Sequence, residues 1–442
     1  MLSPAQAPSY RAVLRTPFAR RTFLLSLVGR LSYGTVFLPI TLAVTSSTGS
    51  YAQAGVVMAV FGLTNSMLAP LRAGLIDRHG PARLLLPMGV AYALLAALAA
   101  ATWSRDTPGW LLIPLSAAAG ACAPPLGPVM RTVWSGLLPD SRMLQRAYSL
   151  DTVCEELLYV TGPMIVGLLV VVADPPLGIA VSAALVLVGT LAFVCAPPVR
   201  AARGAPEAPP SAEPAPGRRA WRLRLPLAQS LPGGPLCVSA GLGLVLGALS
   251  LFVVAFAERY GRVSSVAWIE AALAVGSVVG GLAYGSRTWR ASSRTRLSVL
   301  AVALAAALAF AGVSSTVVVL AAIVAVCGLL VAPTLTTSYL LADEMATDRN
   351  RTRVGTWVNT AFNLGNSAGA ASAGLLVGVL PLPACFALAA VPLLLSALTP
   401  RTSRTAEEPA DAATKAPTKT ETERGETDRE ETDADPHHGS AG

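Results

Sequence analysis

"GACAPPLGPVMRTVW", residues 120–134, lies over "GLLVAPTLTTSYLLA", residues 328–342, when the chain is slid along itself by about 208 positions. A second overlap follows at nearly the same offset, "GPMIVGLLV" at 162–170 against "GAASAGLLV" at 369–377. Each copy sets a broken, proline-containing fourth helix ahead of a fifth that is rich in small residues. Weak self-similarity of this kind points to a transporter built from parallel repeats, its substrate cavity lying between the halves near the bilayer midplane.

The composition requires a membrane. Of 442 residues, 53% are hydrophobic and only 13% charged, with a mean hydropathy of +0.57, whereas soluble domains carry about a quarter charged residues. Apolar stretches of about 20 residues suffice to cross a hydrocarbon layer about 30 Å thick. They fall near 22–46, 51–73, 84–103, 109–133, 147–173 and 176–196, then near 233–257, 264–286, 296–313, 316–341, 354–377 and 379–398. Helices are predicted, because barrel strands give short alternating segments and open sheets leave backbone groups unsatisfied in lipid. The expected fold class is all-α, twelve transmembrane helices in two pseudo-symmetric six-helix bundles. A cleaved signal peptide is the rival reading of the first stretch, but Arg30 interrupts it and no small-x-small cleavage site is clear.

Net charge is +8, yet its distribution argues against nucleic acid as a partner: 29 of the 33 Lys and Arg fall in the tails and in alternate loops. The positive-inside rule then predicts both termini in the cytoplasm. Between the sixth and seventh stretches, "CAPPVRAARGAPEAPPSAEPAPGRRAWRLRLP" (195–226) is Pro-rich and basic and reads as an extended linker. From Arg401 onward the chain has eleven Asp or Glu against six Lys or Arg and few large apolar residues, a composition that predicts disorder. The expected organisation is a cytoplasmic tail (1–21), a six-helix bundle (22–196), a cytoplasmic linker (197–232), a second bundle (233–398) and a disordered tail (399–442). Cys122, Cys154, Cys195, Cys237, Cys327 and Cys385 lack metal or disulfide spacing and read as packing residues.

The segment "LRAGLIDRHGPARLLL" (71–86) resembles the major facilitator superfamily, whose loop between helices two and three has the pattern G-x-L-a-D-R-x-G-R-K, through Leu75, Asp77, Arg78 and Gly80. Ala73 stands where the family has its first glycine, Pro81 and Ala82 replace the basic pair, and Arg83 comes one position late. The resemblance implies that Asp77, Arg78, Gly80 and Arg83 form a latch holding the outward-facing state. A carboxylate near a helix end among arginines can make such bonds across two bundles. The equivalent loop, "GLAYGSRTWRASSR" (281–294), has no aspartate, so a single complete latch is expected. Gly162, Pro163 and Gly167 match part of the superfamily's exporter motif, g-x-x-x-G-P-x-x-x-G, which implies a kinked, closely packed fifth helix and export. Its proton antiporters carry a fourth-helix arginine four residues before a glycine; here Ser116 stands before Gly120.

One further stretch, "YSLDTVCEELLYVTGPMIVGLL" (148–169), puts three carboxylates into the fifth helix. Asp151 and Glu155 share a face, and Glu156 is turned about 100° away. Charge at lipid depth costs roughly 3 kcal/mol or more, so each must pair or face water. Arg30, at similar depth in the first helix, is the natural partner, either in a static ion pair or in one that opens when a carboxylate takes up a proton. Asn359, Asn363 and Asn366 fall where the repeat assigns the carboxylates, and either line the cavity or join helices. Glu270 is a second candidate for coupling or cation binding, with an interfacial glutamate as the alternative. Arg131 reads as an anchor at the cytoplasmic end of its helix. A membrane enzyme would need ligands or a nucleophile with a base, and a pump a P-loop; neither pattern occurs. The expectation is a secondary transporter exporting a small hydrophobic or amphiphilic compound across the cell membrane in exchange for protons. It should act as a monomer, without cofactor or metal. A sugar or metabolite transporter of the same fold, or a membrane protein without transport activity, are the alternatives.

Overall fold

The computed structural model describes residues 9–101, 109–172, 174–202 and 232–398. Among them the chain forms sixteen helices and no strand: α1 (Tyr10–Arg15), α2 (Ala19–Thr35), α3 (Phe37–Thr48), α4 (Tyr51–His79), α5 (Pro81–Ala101), α6 (Gly109–Cys122), α7 (Leu126–Leu137), α8 (Ser141–Val172), α9 (Pro175–Val194), α10 (Pro197–Ala201), α11 (Gly233–Arg259), α12 (Ser265–Ser286), α13 (Ser293–Ala311), α14 (Val317–Glu344), α15 (Arg351–Leu376) and α16 (Leu382–Leu398). With α2–α3 and α6–α7 each counted as one pass, twelve passes result. Nine are long and apolar enough to cross a membrane, and α5 and α16 are apolar over shorter stretches. The twelfth, α15, carries the three asparagines and relies on its neighbours for cover.

Local sequence sets the ends. Ser50, Ser292 and Thr316 each accept a hydrogen bond from a backbone N–H in the first turn of α4, α13 and α14. Gly49 closes α3 at φ +67°, a conformation that costs glycine little. The fourth pass breaks because Pro124 and Pro125 supply no N–H, which frees carbonyls at the end of α6. Arg72, buried on α4, donates to the Gly120 and Ala121 carbonyls, the latter at 2.8 Å, and Tyr33 donates to Pro124. Buried irregular backbone is tolerated in a membrane protein when it is satisfied in this way. The tenth pass, α14, was expected to break likewise, yet it continues through Pro333. A lone proline removes one ladder bond where an adjacent pair removes two.

The packing repeats in the two halves. In the first, the first pass lies against α8 and α9, α4 against α6, and α5 against α6 and α9; in the second, α11 lies against α15 and α16, α12 against α14, and α13 against α14 and α16. These sets interchange when the passes are renumbered by six. The seam between the halves pairs α4 with α15 and α8 with α12, a further interchange. The protein therefore has the twelve-helix, two-bundle architecture expected, and its described residues through 398 form one compact unit.

Glycines allow the closest crossings within each half. A Cβ on Gly162 would lie 2.5 Å from the Gly34 carbonyl carbon, and Gly243, Gly247, Gly365 and Gly369 make equivalent approaches between α11 and α15. Gly243→Val should lower stability by about 1–3 kcal/mol through overpacking against the Phe362 carbonyl, whereas Gly233→Val, with open space around it, should be near neutral. Thermal unfolding in detergent compares the two.

The N-terminal tail and the start of the linker are helical where they are described. Residues 10–15, expected as tail, form α1, and Val13 is fully buried because Phe18, at φ +65°, folds the segment back onto α8. The first linker residues form α10, with Pro197 at its start and Val199 buried. The rest of the linker (203–231) and the acidic tail (399–442) lie outside the described residues.

Candidate functional site

Four charged side chains meet inside the first half. Arg30 on α2 bonds Asp151 Oδ1 through Nη1 at 2.7 Å and reaches Glu155 Oε2 through Nη2 at 3.0 Å. Arg131 on α7 places Nε 3.0 Å from Asp151 Oδ2 and pairs its Nη2 with the same Glu155 oxygen. Asp151 is 0% exposed and Glu155 16%. Gly127 of α7 borders the cluster, and a Cβ there would make ordinary contact with Glu155 Oε1 at 3.4 Å. Formal charge sums to zero, which is how four ions can share a low-dielectric site. Tyr339 of α14 lies beneath Arg131, its ring centroid 3.7 Å from Cζ, and ties the cluster to the second half. The expected pairing of Arg30 with the α8 carboxylates is present. Arg131 is buried in the cluster, not an anchor at the helix end, because the Pro124–Pro125 break lets α7 start deep in the bundle.

Glu156 points elsewhere, as its position predicts, and lies against Ser277 of α12 at the seam; its Oε2 is buried without a hydrogen-bond partner. Asn359, Asn363 and Asn366 are half-buried along α15 without a side-chain hydrogen bond among the described residues. Glu270 stands apart from the cluster and approaches Ser250 of α11. Of the exporter-type residues, Gly162 makes the α2–α8 crossing, Gly167 has open space around it, and α8 runs unbroken through Pro163. Among the described residues no group of three or more His, Cys, Asp or Glu is placed to hold a metal.

One end of the seam is closed. Asp77, at the end of α4, accepts from the backbone N–H groups of Thr352 (3.1 Å) and Arg353 (2.8 Å). It thereby supplies in trans the cap that Asn350 does not give α15. Gly74 leaves room for the Arg353 stem, Gly80 ends α4 at φ +89°, and Arg78 and Arg83 are exposed. The second seam is also bonded, although its loop has no aspartate. At the position related by the repeat, Gln145 donates to the Tyr284 and Arg287 carbonyls at 3.1 Å each and Arg146 to Ser286 at 2.9 Å. The second lock needs no aspartate because it fastens to a helix C-terminus, whose free carbonyls require donors. Tyr10 of α1 adds a bond to Leu282 at 2.7 Å, and burial raises its hydroxyl pKa, which keeps it a donor. Seam contacts of α8 run from Gln145 to Glu156, whereas Leu157, Tyr159, Val160 and Met164 beyond them are exposed.

The Major Facilitator Superfamily profile matches residues 22–281 and 235–426. The chain belongs to this superfamily. Solved structures of the superfamily fold agree. A bacterial homologue of the iron transporter ferroportin, in an outward-facing state, superposes with a TM-score of 0.67 at 16% identity, covering 86% of this chain and 97% of that one. The human organic anion transporter MFSD10 (TETRAN) gives 0.63 at 16% identity, covering 88% and 99%. No curated protein matches. As a superfamily member the chain is a multi-pass membrane protein with a transporter fold, not an enzyme.

Sequence reading of this superfamily member missed Arg131 and Tyr339 as partners. Their signal was present in the repeat, where a shift of 208 carries position 131 onto 339. Residues at equivalent positions of two pseudo-symmetric halves meet where they lie beside the axis between them, as Arg131 and Tyr339 do. Ser135 and Asp343, another such pair, are bonded at 2.8 Å.

Proposed function

We propose that this transporter exports a small hydrophobic or amphiphilic compound across the cell membrane by alternating access, in exchange for protons, with Glu156 as the coupling carboxylate. One observation carries the assignment. Arg30 and Arg131 neutralise Asp151 and Glu155, whereas Glu156 reaches the seam with a buried oxygen that has no partner. A carboxylate so placed is stabilised by taking up a proton when the seam closes and by losing it when water enters. Asp77 and the Gln145–Arg146 pair hold the closed end, and 29 of 33 basic residues support placing that end and both termini in the cytoplasm. The halves then act as bundles 22–196 and 233–398 of a monomer, joined by a cytoplasmic linker, and the described state faces outward. The Gly162–Pro163–Gly167 pattern supports export. The free asparagine row on α15 favours a second reading, a sugar or metabolite as substrate.

Proteoliposomes loaded with the neutral lipophilic fluorophore N-phenyl-1-naphthylamine test the coupling. An acid-outside gradient should drive efflux by the natural protein, and Glu156→Gln should leave only downhill flux that ignores the gradient. Equal acceleration of both by the gradient would remove Glu156 from the mechanism.

A further inference from the structure

The six residues of α1 are too few to hold a helix alone; they are helical because they are docked. Ser9 caps the segment by accepting from the Ala12 N–H, and Val13 joins the core cluster that also holds Phe23, Trp134 and Tyr148. The left-handed turn at Phe18 is strained for a residue with a Cβ, so the docking outweighs that strain. Because α1 packs on α2 and α8, it belongs to the first half.

One of its side chains reaches the other half. The Tyr10 hydroxyl enters the seam between α8 and α12, where it donates to the Leu282 carbonyl at 2.7 Å and lies 3.5 Å from Ser149 Oγ. This slot exists because position 285 is glycine: a Cβ there would collide with the Tyr10 hydroxyl and stand 2.6 Å from Ser149 Cβ. One turn along α12, Gly281 accepts from Ser149 and leaves room for Val153. Any separation of α8 from α12 therefore withdraws the phenol from its slot and breaks its bond.

We propose that α1 is a clasp on the transport cycle: anchored to the first half by Val13, it hooks the second half through Tyr10 and restrains opening of the closed end. The inference rests on the alternating-access reading and adds to it a brake that lies outside both bundles. Asp77 fastens α4 to α15, whereas the loop after α12 has no aspartate; there the clasp stands beside Gln145 and Arg146. A single neutral hydrogen bond suits this role, since it biases the equilibrium modestly and can be released in every turnover. Its donor and acceptor carry no formal charge, so the hold does not depend on salt as an ionic latch would.

Val153 is buried at this seam, so Val153→Cys, in a full-length protein whose six native cysteines are serine, reports opening through its labelling rate with a water-soluble maleimide. The protein is held in lipid nanodiscs without substrate or gradient. Tyr10→Phe keeps the ring and removes the donor, and should speed labelling about two- to tenfold, the loss of one hydrogen bond. Gly285→Ala, which closes the slot, should speed it at least as much, and adding Tyr10→Phe to it should change little more, because the bond is already gone. Cys327, buried inside the second half and kept as the sole cysteine, should label no faster in Tyr10→Phe than in the natural background. Rates at Val153→Cys unaltered by Tyr10→Phe, full additivity with Gly285→Ala, or equal acceleration at Cys327 would overturn the clasp. If Gly285→Ala fails to fold, the rates for Tyr10→Phe at the two reporters still decide. Asp77→Ala separates this inference from the reading beneath it: acceleration by Asp77→Ala but not by Tyr10→Phe refutes the clasp alone, whereas a Val153→Cys reporter that no variant exposes refutes alternating access and the clasp with it.

Discussion

Asp151→Ala should destabilise the protein by about 3–5 kcal/mol, the usual penalty for removing one partner from a buried ion pair. Asp151 is fully buried and holds one oxygen on each arginine. Its loss leaves two guanidiniums facing the single carboxylate of Glu155, with one positive charge uncompensated at lipid depth. The penalty is for imbalance, since the net value of a buried pair over apolar residues of similar size is small. Asp151→Leu combined with Arg30→Met, which removes one charge of each sign, should therefore recover most of the loss. Thermal unfolding of the purified protein, followed by tryptophan fluorescence, gives both values. A single variant as stable as the natural protein, or a double variant worse than the single, would contradict the charge-balance account.

Asp77→Ala acts on the other equilibrium. Its carboxylate accepts two backbone donors that the partner half leaves otherwise uncapped, and hydrogen bonds to a charged group are worth about 1.5–3 kcal/mol. These bonds exist only while that end of the seam is closed. Removing them should shift the population toward the state open at that end by about 10- to 100-fold. A cysteine introduced at Thr356, buried on α15, in a protein whose six native cysteines are serine, reports the change through its labelling rate with a water-soluble maleimide. Rates unchanged by Asp77→Ala would mean that the Gln145–Arg146 lock alone holds the end closed.

How much could be read in advance followed the physics of each feature. Apolar stretches marked all twelve passes, and nine of them meet outright the length and apolarity that a bilayer sets. The pairing of Arg30 with the α8 carboxylates was legible because unpaired charge is excluded from lipid. Arg131 was not, since its depth depends on where the fourth pass breaks, and a proline pair signals the break without giving the direction of the segment after it. The second lock escaped because its acceptors are backbone carbonyls, which carry no sequence signature. Nor could α1 be foreseen as packed: its anchor is a left-handed turn at Phe18, a residue type with no preference for that conformation.

The interruption between α6 and α7 works as a joint in a strut. On one side of it, α7 carries Arg131 against Tyr339 of the opposite half; on the other, Leu112, Leu115 and Ala119 of α6 line a small apolar pocket of the first half. A tilt of the second bundle that drags Tyr339 can thus be absorbed as bending at Pro124–Pro125, where the Arg72 and Tyr33 bonds are side-chain tethers able to reorient. Such a linkage lets a displacement of Tyr339 reach the charged quartet through α7 without being passed on to α6.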